Sequence, residues 1–175
     1  MIGVVTRTGA AVAVALRGSA AAPRFAARTE IALLPPGLTA QPYHAAADMD
    51  PAAAASLVAR VESAAERAAT AGLRALADML PGHEVRGVAV VVKAVSVPES
   101  LADILRSHAW MHAAEGELYR QAVLAAAADG GWAAHAVDQS ALPAAEQTLT
   151  ELGQAAGRPW RRIEKDAARA AITLL

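Results

Sequence analysis

Within the first 34 residues, two short apolar runs and one run of alternating apolar and polar residues predict three strands. The strands cover residues 2–6, 11–16 and 25–34. In the third strand Arg24, Arg28 and Glu30 share one side and apolar residues fill the other, as expected of a strand buried on one face. Gly9 and Gly18 mark short turns, so the three strands are predicted to be antiparallel neighbours.

The next pattern along the chain is a loop followed by one long amphipathic helix. Residues 38–49 show no period and predict a surface loop, either a mobile linker or a functional segment. Asp50 before Pro51 is typical of a helix start, and apolar residues then recur every three or four positions until Pro81. Gly72 lies on the apolar stripe and predicts a close approach to the sheet, or a kink.

The most apolar segment, residues 85–95, predicts a strand that is buried on both faces and central in the sheet. Ser96 and Glu99 have the spacing of a capping box, which predicts a helix start. The helical pattern breaks near Ser107 and resumes to residue 128. The rest of the chain predicts a short strand and two helices, at 132–137, 140–156 and 160–175.

Composition narrows the class of protein but does not identify a function. The chain has no cysteine, which excludes disulfides, thiolate metal sites and cysteine nucleophiles and favours a reducing compartment, the cytoplasm. Its start reads as a strand instead of a signal peptide, and no apolar run is long enough to span a membrane. A net charge of −1 gives no global attraction to nucleic acid, and the alanine and arginine bias is typical of GC-rich bacterial genomes.

The predicted element order has a counterpart among known folds. Three antiparallel strands followed by helix, strand, helix, strand and C-terminal helices resembles the ribonuclease H-like superfamily, and the length is similar to that of its Holliday-junction resolvase branch. The resemblance implies a single α/β domain over residues 1–175. Its sheet would be mixed and five-stranded, with helices on both faces.

The resemblance also implies which positions would carry nuclease chemistry. Nucleases of that superfamily hold two divalent cations with three or four carboxylates, because two metals stabilise the attacking and leaving oxygens at phosphorus. Here the first strand offers Thr6 and no acid, and the fourth strand ends in Lys93. The matching acids are Glu62 or Glu66 on the long helix, with Glu66 taken as the candidate, and Asp166 near the C-terminus. A non-catalytic binding or assembly module without a cofactor is therefore expected. The alternative is a diverged nuclease that uses Mg²⁺ or Mn²⁺.

A second polar cluster lies on the helix that follows Ser107. One stripe at i, i+4, i+7 and i+11 contains His108, His112, Glu115 and Tyr119. Two histidines one turn apart can share a metal, but no glutamate directly follows His108 and no third ligand is evident, so no metal site is predicted.

Two interpretations of this cluster remain. In the first, the histidines and the tyrosine hydrogen-bond to a neighbouring loop, and Glu117 or Glu115 pairs with Arg120. In the second, the same side chains line a pocket for a ligand or partner. Gly116, in the middle of the helix, indicates that some group packs closely against it.

The C-terminal segment is locally basic and contains one aromatic residue, Trp160. If it is helical throughout, four basic residues form a stripe, namely Arg158, Arg162, Lys165 and Arg169. Such a stripe is either a solvated face or a nucleic-acid contact in which Trp160 stacks on bases and Arg162 binds phosphate. The alanine-rich surface also permits a homo-oligomer.

Overall fold

A computed structural model describes residues 1–175 and contains one sheet of five strands. The strands are β1 (Ile2–Arg7), β2 (Ala10–Ser19), β3 (Ala22–Ala32), β4 (Gly87–Val92) and β5 (Ala133–Asp138). The helices are α1 (Pro42–Ala46), α2 (Pro51–Asp78), α3 (Leu101–Leu105), α4 (His108–Asp129), α5 (Glu146–Ala156) and α6 (Arg162–Ile172). None of these helices is both long and apolar enough to cross a membrane.

The strands lie in the order β3-β2-β1-β4-β5. β1 and β3 run antiparallel to β2, whereas β1, β4 and β5 run parallel to one another. The carboxyl ends of these three parallel strands therefore meet at one edge of the sheet. The predicted mixed five-stranded sheet is confirmed, although β1 and not β4 is the middle strand.

Helices cover both faces of the sheet. On one face, α2 and α4 bury the largest apolar cluster, which includes Ile2 and Val4 of β1 and Val88 and Val90 of β4. On the opposite face, α5 and α6 pack against the alternate residues of the strands, such as Val14. β4 is buried on both sides, as its run of valines predicts.

A glycine allows α6 to lie almost on the backbone of the middle strand. A Cβ atom at Gly3 would lie 1.8 Å from the carbonyl oxygen of Ala167 and 2.7 Å from the amide nitrogen of Ala171. The facing side of α6 consists of fully buried alanines, among them Ala167 and Ala171. The alanine bias of the chain therefore has a structural use here, because small side chains permit this close contact.

Several local predictions were confirmed at named residues. The Asp50 carboxylate caps α2 by accepting from the amides of Ala52 at 3.1 Å and Ala53 at 3.0 Å. A Cβ atom at Gly72 would lie 2.3 Å from Cγ2 of Ile31 on β3, which is the predicted close approach to the sheet.

Other local predictions were wrong, mostly at element boundaries. Residues 38–49 are not simply a loop, because they contain α1, whose Tyr43 and Ala46 are buried. The helix after β4 is capped by Ser100, which accepts from the amide of Asp103 at 3.1 Å, and not by Ser96. α5 starts later than predicted because the 3-10 turn at Gln139–Ala141 and Pro143 precede it, α6 starts after Pro159, and β4 is shorter.

The contact between β1 and α6 can be tested with Gly3→Ala. Because the added methyl would overlap backbone atoms that cannot move independently, the variant should lose about 3 kcal/mol or more of its free energy of unfolding. Urea denaturation followed by circular dichroism measures this. Gly116→Ala is the matched control, since its Cβ would meet only the end of the Arg120 side chain at 3.1 Å and no backbone atom, and it should be neutral or up to about 1 kcal/mol stabilising. Equal stabilities of the two variants would contradict the contact.

Candidate functional site

A cleft of about 390 Å³ opens where the three parallel strands end. Its polar lining comes from β1, β4, α4, α6 and the turn after β5, and consists of Thr6, Lys93, Arg120, Gln139, Arg162 and Asp166. In open α/β sheets, the carboxyl ends of parallel strands are a common place for ligands to bind. This cleft is therefore the first candidate site.

The cleft is basic, and its one carboxylate is already paired. Asp166 is 8% exposed and accepts from Nη1 of Arg169 at 2.8 Å. The Nε atom of Arg162 lies 3.5 Å from the second carboxylate oxygen of Asp166. Lys93 is exposed, with no acidic partner within ion-pair distance. Positive charge therefore exceeds negative charge among the lining residues.

Arg120 forms the wall of the cleft on the α4 side. Its Nε and Nη2 atoms donate to one oxygen of Glu117, at 3.0 and 2.8 Å. Burial alone would raise the pKa of Glu117, but hydrogen bonds from Gln121 and Arg120 and the charge of Arg120 outweigh it and lower the pKa. Arg120 is also the group that packs closely against Gly116, because its guanidinium occupies the space beside that glycine.

The second acid implied by the nuclease resemblance does not reach this cleft. Glu66 lines a separate groove between α2 and α4, together with Glu62, Glu99 and Glu117. Burial, and then the neighbouring charge of Glu66, raises the pKa of Glu62. Thr6, Lys93 and Asp166 converge as the resemblance implies, but Glu66 and Asp166 line different depressions.

The predicted stripe on α4 forms, and its residues face α1 and the segment before it. The Tyr119 hydroxyl donates to the carbonyl of Ala40 at 2.7 Å. Glu115 is 3% exposed and lies 2.8 Å from Nδ1 of His44, while His112 Nδ1 lies 3.7 Å from its other oxygen. The interpretation as a polar flank that bonds to a neighbouring loop matches these contacts.

A third histidine joins the two on α4, and sequence reasoning missed it. The ring of His44 lies 4.9 Å from that of His108 and 4.4 Å from that of His112, measured between centroids, and the latter two are 4.5 Å apart. His44 is 71 residues from Glu115 along the chain, in a segment without a periodic pattern. The only available signal was its presence on a segment of unusual length for a connection.

The C-terminal basic stripe does not form as predicted. α6 starts at Arg162, so Arg158 lies outside it, and Arg169 is bound to Asp166 and Glu146. The Trp160 ring is partly buried: its Nε1 donates to the carbonyl of Leu149 at 2.9 Å, and its ring is nearly perpendicular to that of Phe25, with the centroids 6.4 Å apart. Trp160 therefore anchors α5 in this structure. Base stacking by Trp160 stays a prediction without a supporting contact.

The arrangement of strands decides the fold class. Antiparallel β1, β2 and β3 are followed by β4 and β5 parallel to β1, which is the predicted mixed sheet, and the observed strand order is β3-β2-β1-β4-β5. The fold is ribonuclease H-like. Among solved structures, the RuvC structure from Thermus thermophilus is similar at 19% sequence identity and a TM-score of 0.48, over 99% of this chain and 92% of that one. No protein-family model and no curated protein matches the sequence.

The two tyrosines beside the histidines report on the burial of this region. Burial, and then the charges of Glu62 and Glu115, raises the pKa of Tyr43 to about 12. Burial, and then the charge of Glu115, raises the pKa of Tyr119 to about 12. They are the only tyrosines in the chain, so their titration can be observed without interference from others.

Absorbance at 295 nm should show no phenolate in the folded protein at pH 10 and should rise toward pH 12. Because the folded pKa exceeds the unfolded one, this contribution to stability is complete below about pH 10 and is lost as the pH approaches 12. Tyr119→Phe should cost about 1 kcal/mol through its lost hydrogen bond. Tyr43→Phe, whose hydroxyl makes no hydrogen bond within the protein, is the control. A titration centred near pH 10 in the folded protein would contradict the burial.

Proposed function

We propose that this chain is a non-catalytic ribonuclease H-like module that binds the phosphate backbone of a nucleic acid at the basic cleft. The observation that carries the proposal is the state of Asp166, whose two carboxylate oxygens face Arg169 and Arg162. A carboxylate that already faces two arginines is a poor ligand for a metal ion. The cleft keeps a surplus of positive charge, because Lys93, Arg120 and Arg162 line it together with a single acid.

The lining residues disfavour two-metal hydrolysis. That chemistry needs several carboxylates around ions about 4 Å apart, so that both the attacking and the leaving oxygen are stabilised. The cleft supplies one acid, and Lys93 and Arg120 add fixed positive charges at the same strand ends. Cations brought to this place would be repelled, and the acids of the neighbouring groove do not line the cleft.

The same residues favour a phosphate oxygen. Lys93 is exposed, and the side chain of Arg162 is 81% exposed, so both can reach a ligand outside the cleft. Arginine binds phosphate through two parallel hydrogen bonds, and lysine binds it as a point charge. Because the net charge of the chain is −1, attraction would come from this patch and not from the whole protein.

Binding should weaken when the two exposed cations are removed. The double variant Lys93→Ala/Arg162→Ala should bind a fluorescent four-way DNA junction and single-stranded DNA at least about tenfold more weakly in low salt. Its plot of log affinity against log salt should be shallower by about two, because two phosphate contacts are lost. Arg74→Ala, an exposed arginine on α2, is the matched control and should bind like the wild type. Equal affinities of all three proteins would overturn the cleft as the binding surface.

Catalysis is tested on the same substrates with Mg²⁺ or Mn²⁺. Neither the wild type nor Asp166→Asn should cleave them, and the variant should bind at least as well, since it removes the only negative charge of the cleft. Cleavage by the wild type that is lost in Asp166→Asn would establish the nuclease alternative instead. Light scattering at two concentrations on these samples tests the predicted homo-oligomer.

A further inference from the structure

Three histidines from two helices meet at a place that the proposed nucleic-acid interface does not use. One ring nitrogen from each of His44, His108 and His112 lies within 4.8 Å of the other two. His44 belongs to α1, and the other two belong to the first turns of α4. Arg120, in the wall of the cleft, lies twelve residues beyond His108, or about 18 Å along the helix axis. The two sites are therefore separate.

His44 is held so that one of its nitrogens lacks a partner. The Glu115 carboxylate accepts from Nδ1 of His44 at 2.8 Å, which places a proton on Nδ1 and, in the neutral ring, a lone pair on Nε2. Nε2 is buried and makes no hydrogen bond with any protein group. A buried acceptor without a donor is unfavourable, and such atoms in folded proteins usually have a function or a bound ligand.

We propose that His44, His108 and His112 bind a Zn²⁺ ion, and that Glu115 orients His44 as a ligand. In zinc sites a ligating histidine commonly donates its other ring N–H to a carboxylate, which fixes the tautomer and the ring orientation. The pair of His44 and Glu115 has this arrangement before any metal is bound. The second oxygen of Glu115 lies 3.7 Å from Nδ1 of His112, close enough to serve that ring after a small rotation.

The geometry requires a modest contraction of the cluster. Nitrogens that bind one Zn²⁺ ion at 2.0–2.1 Å in a tetrahedron lie about 3.3 Å apart. The side chain of His112 is 52% exposed and His108 is also exposed, so the two rings on α4 have room to turn toward the buried Nε2 of His44. His108 and His112 are one helical turn apart, which is a spacing that lets two histidines share one metal.

The donor set selects the class of metal. Imidazole nitrogens suit zinc and similar transition metals, whereas Mg²⁺ and Ca²⁺ prefer oxygen ligands. Three protein ligands leave a fourth position, and the exposure of His108 and His112 means that this position would face solvent. Water or a small anion would complete the coordination, as in zinc sites that keep an open position.

The experiment uses the full chain without a histidine tag, treated with a chelator and dialysed. Calorimetric titration with zinc chloride should show one ion per chain, and His112→Ala should bind at least about 100-fold more weakly. His112 is suited to this test because its exposed ring contributes little to folding. His83→Ala and His135→Ala, the two histidines outside the cluster, are matched controls and should bind like the wild type.

Glu115 is tested by a positioning variant. Glu115→Gln keeps the size of the side chain but replaces the carboxylate, and it should lower zinc affinity by about 10- to 100-fold without changing the stoichiometry. Co²⁺ in place of zinc should give visible absorption bands of a four-coordinate site with nitrogen ligands, and these bands should be absent in His44→Ala. The melting temperature of each variant without metal shows whether it folds.

Some results would overturn the zinc site. The wild type would fail to bind one zinc ion per chain, or a folded His112→Ala would bind zinc as tightly as the wild type, or His83→Ala would lose zinc binding. None of these results bears on nucleic-acid binding, which is measured with other residues. The two proposals can therefore fail independently.

Discussion

The backbone contact between β1 and α6 is the constraint on which the cleft depends. The missing side chain of Gly3 lets the carbonyl of Ala167 approach the strand more closely than any other residue would permit. This contact fixes both the height and the rotation of α6 over the sheet. Asp166, which directly precedes Ala167, is thereby held at the strand ends, beside Thr6 and Lys93. A side chain at residue 3 would displace the helix and separate these groups.

Much of the fold could be predicted from local patterns, because strands and helices with one buried face have a visible period. The hairpins, the start of α2 at Asp50 and the break at Ser107 follow from residues close together in sequence. Boundaries were less accurate: Gly18 lies in β2 and pairs with Pro23 instead of forming the turn, and neither Ser96 nor Ser140 begins a helix of the predicted length. Periodicity also did not predict that β1 is the middle strand, since strand order depends on how the connections cross the sheet.

The candidate sites could be predicted only in part, because each combines residues that are distant in sequence. Of the four positions that the resemblance would bring together, Thr6, Lys93 and Asp166 line one cleft, and Glu66 does not. It could not reveal that Arg169 and Arg162 pair with Asp166, since those contacts depend on side-chain directions at the end of α6. His44 was missed for a related reason. α1 is five residues long and is stabilised by its contacts with α2 and α4 more than by its own sequence.

The helix α4 keeps the two candidate sites apart. Successive residues of a helix are turned by about 100°, so Glu115 and Glu117 point in nearly opposite directions although one residue separates them. Glu115 lies against His44, while Glu117 bonds to Arg120 at the edge of the cleft. Each of these acids already has a partner of its own. Neither Glu115 nor Glu117 lines the cleft together with Asp166. The acids of this helix therefore add no metal ligands to the cleft.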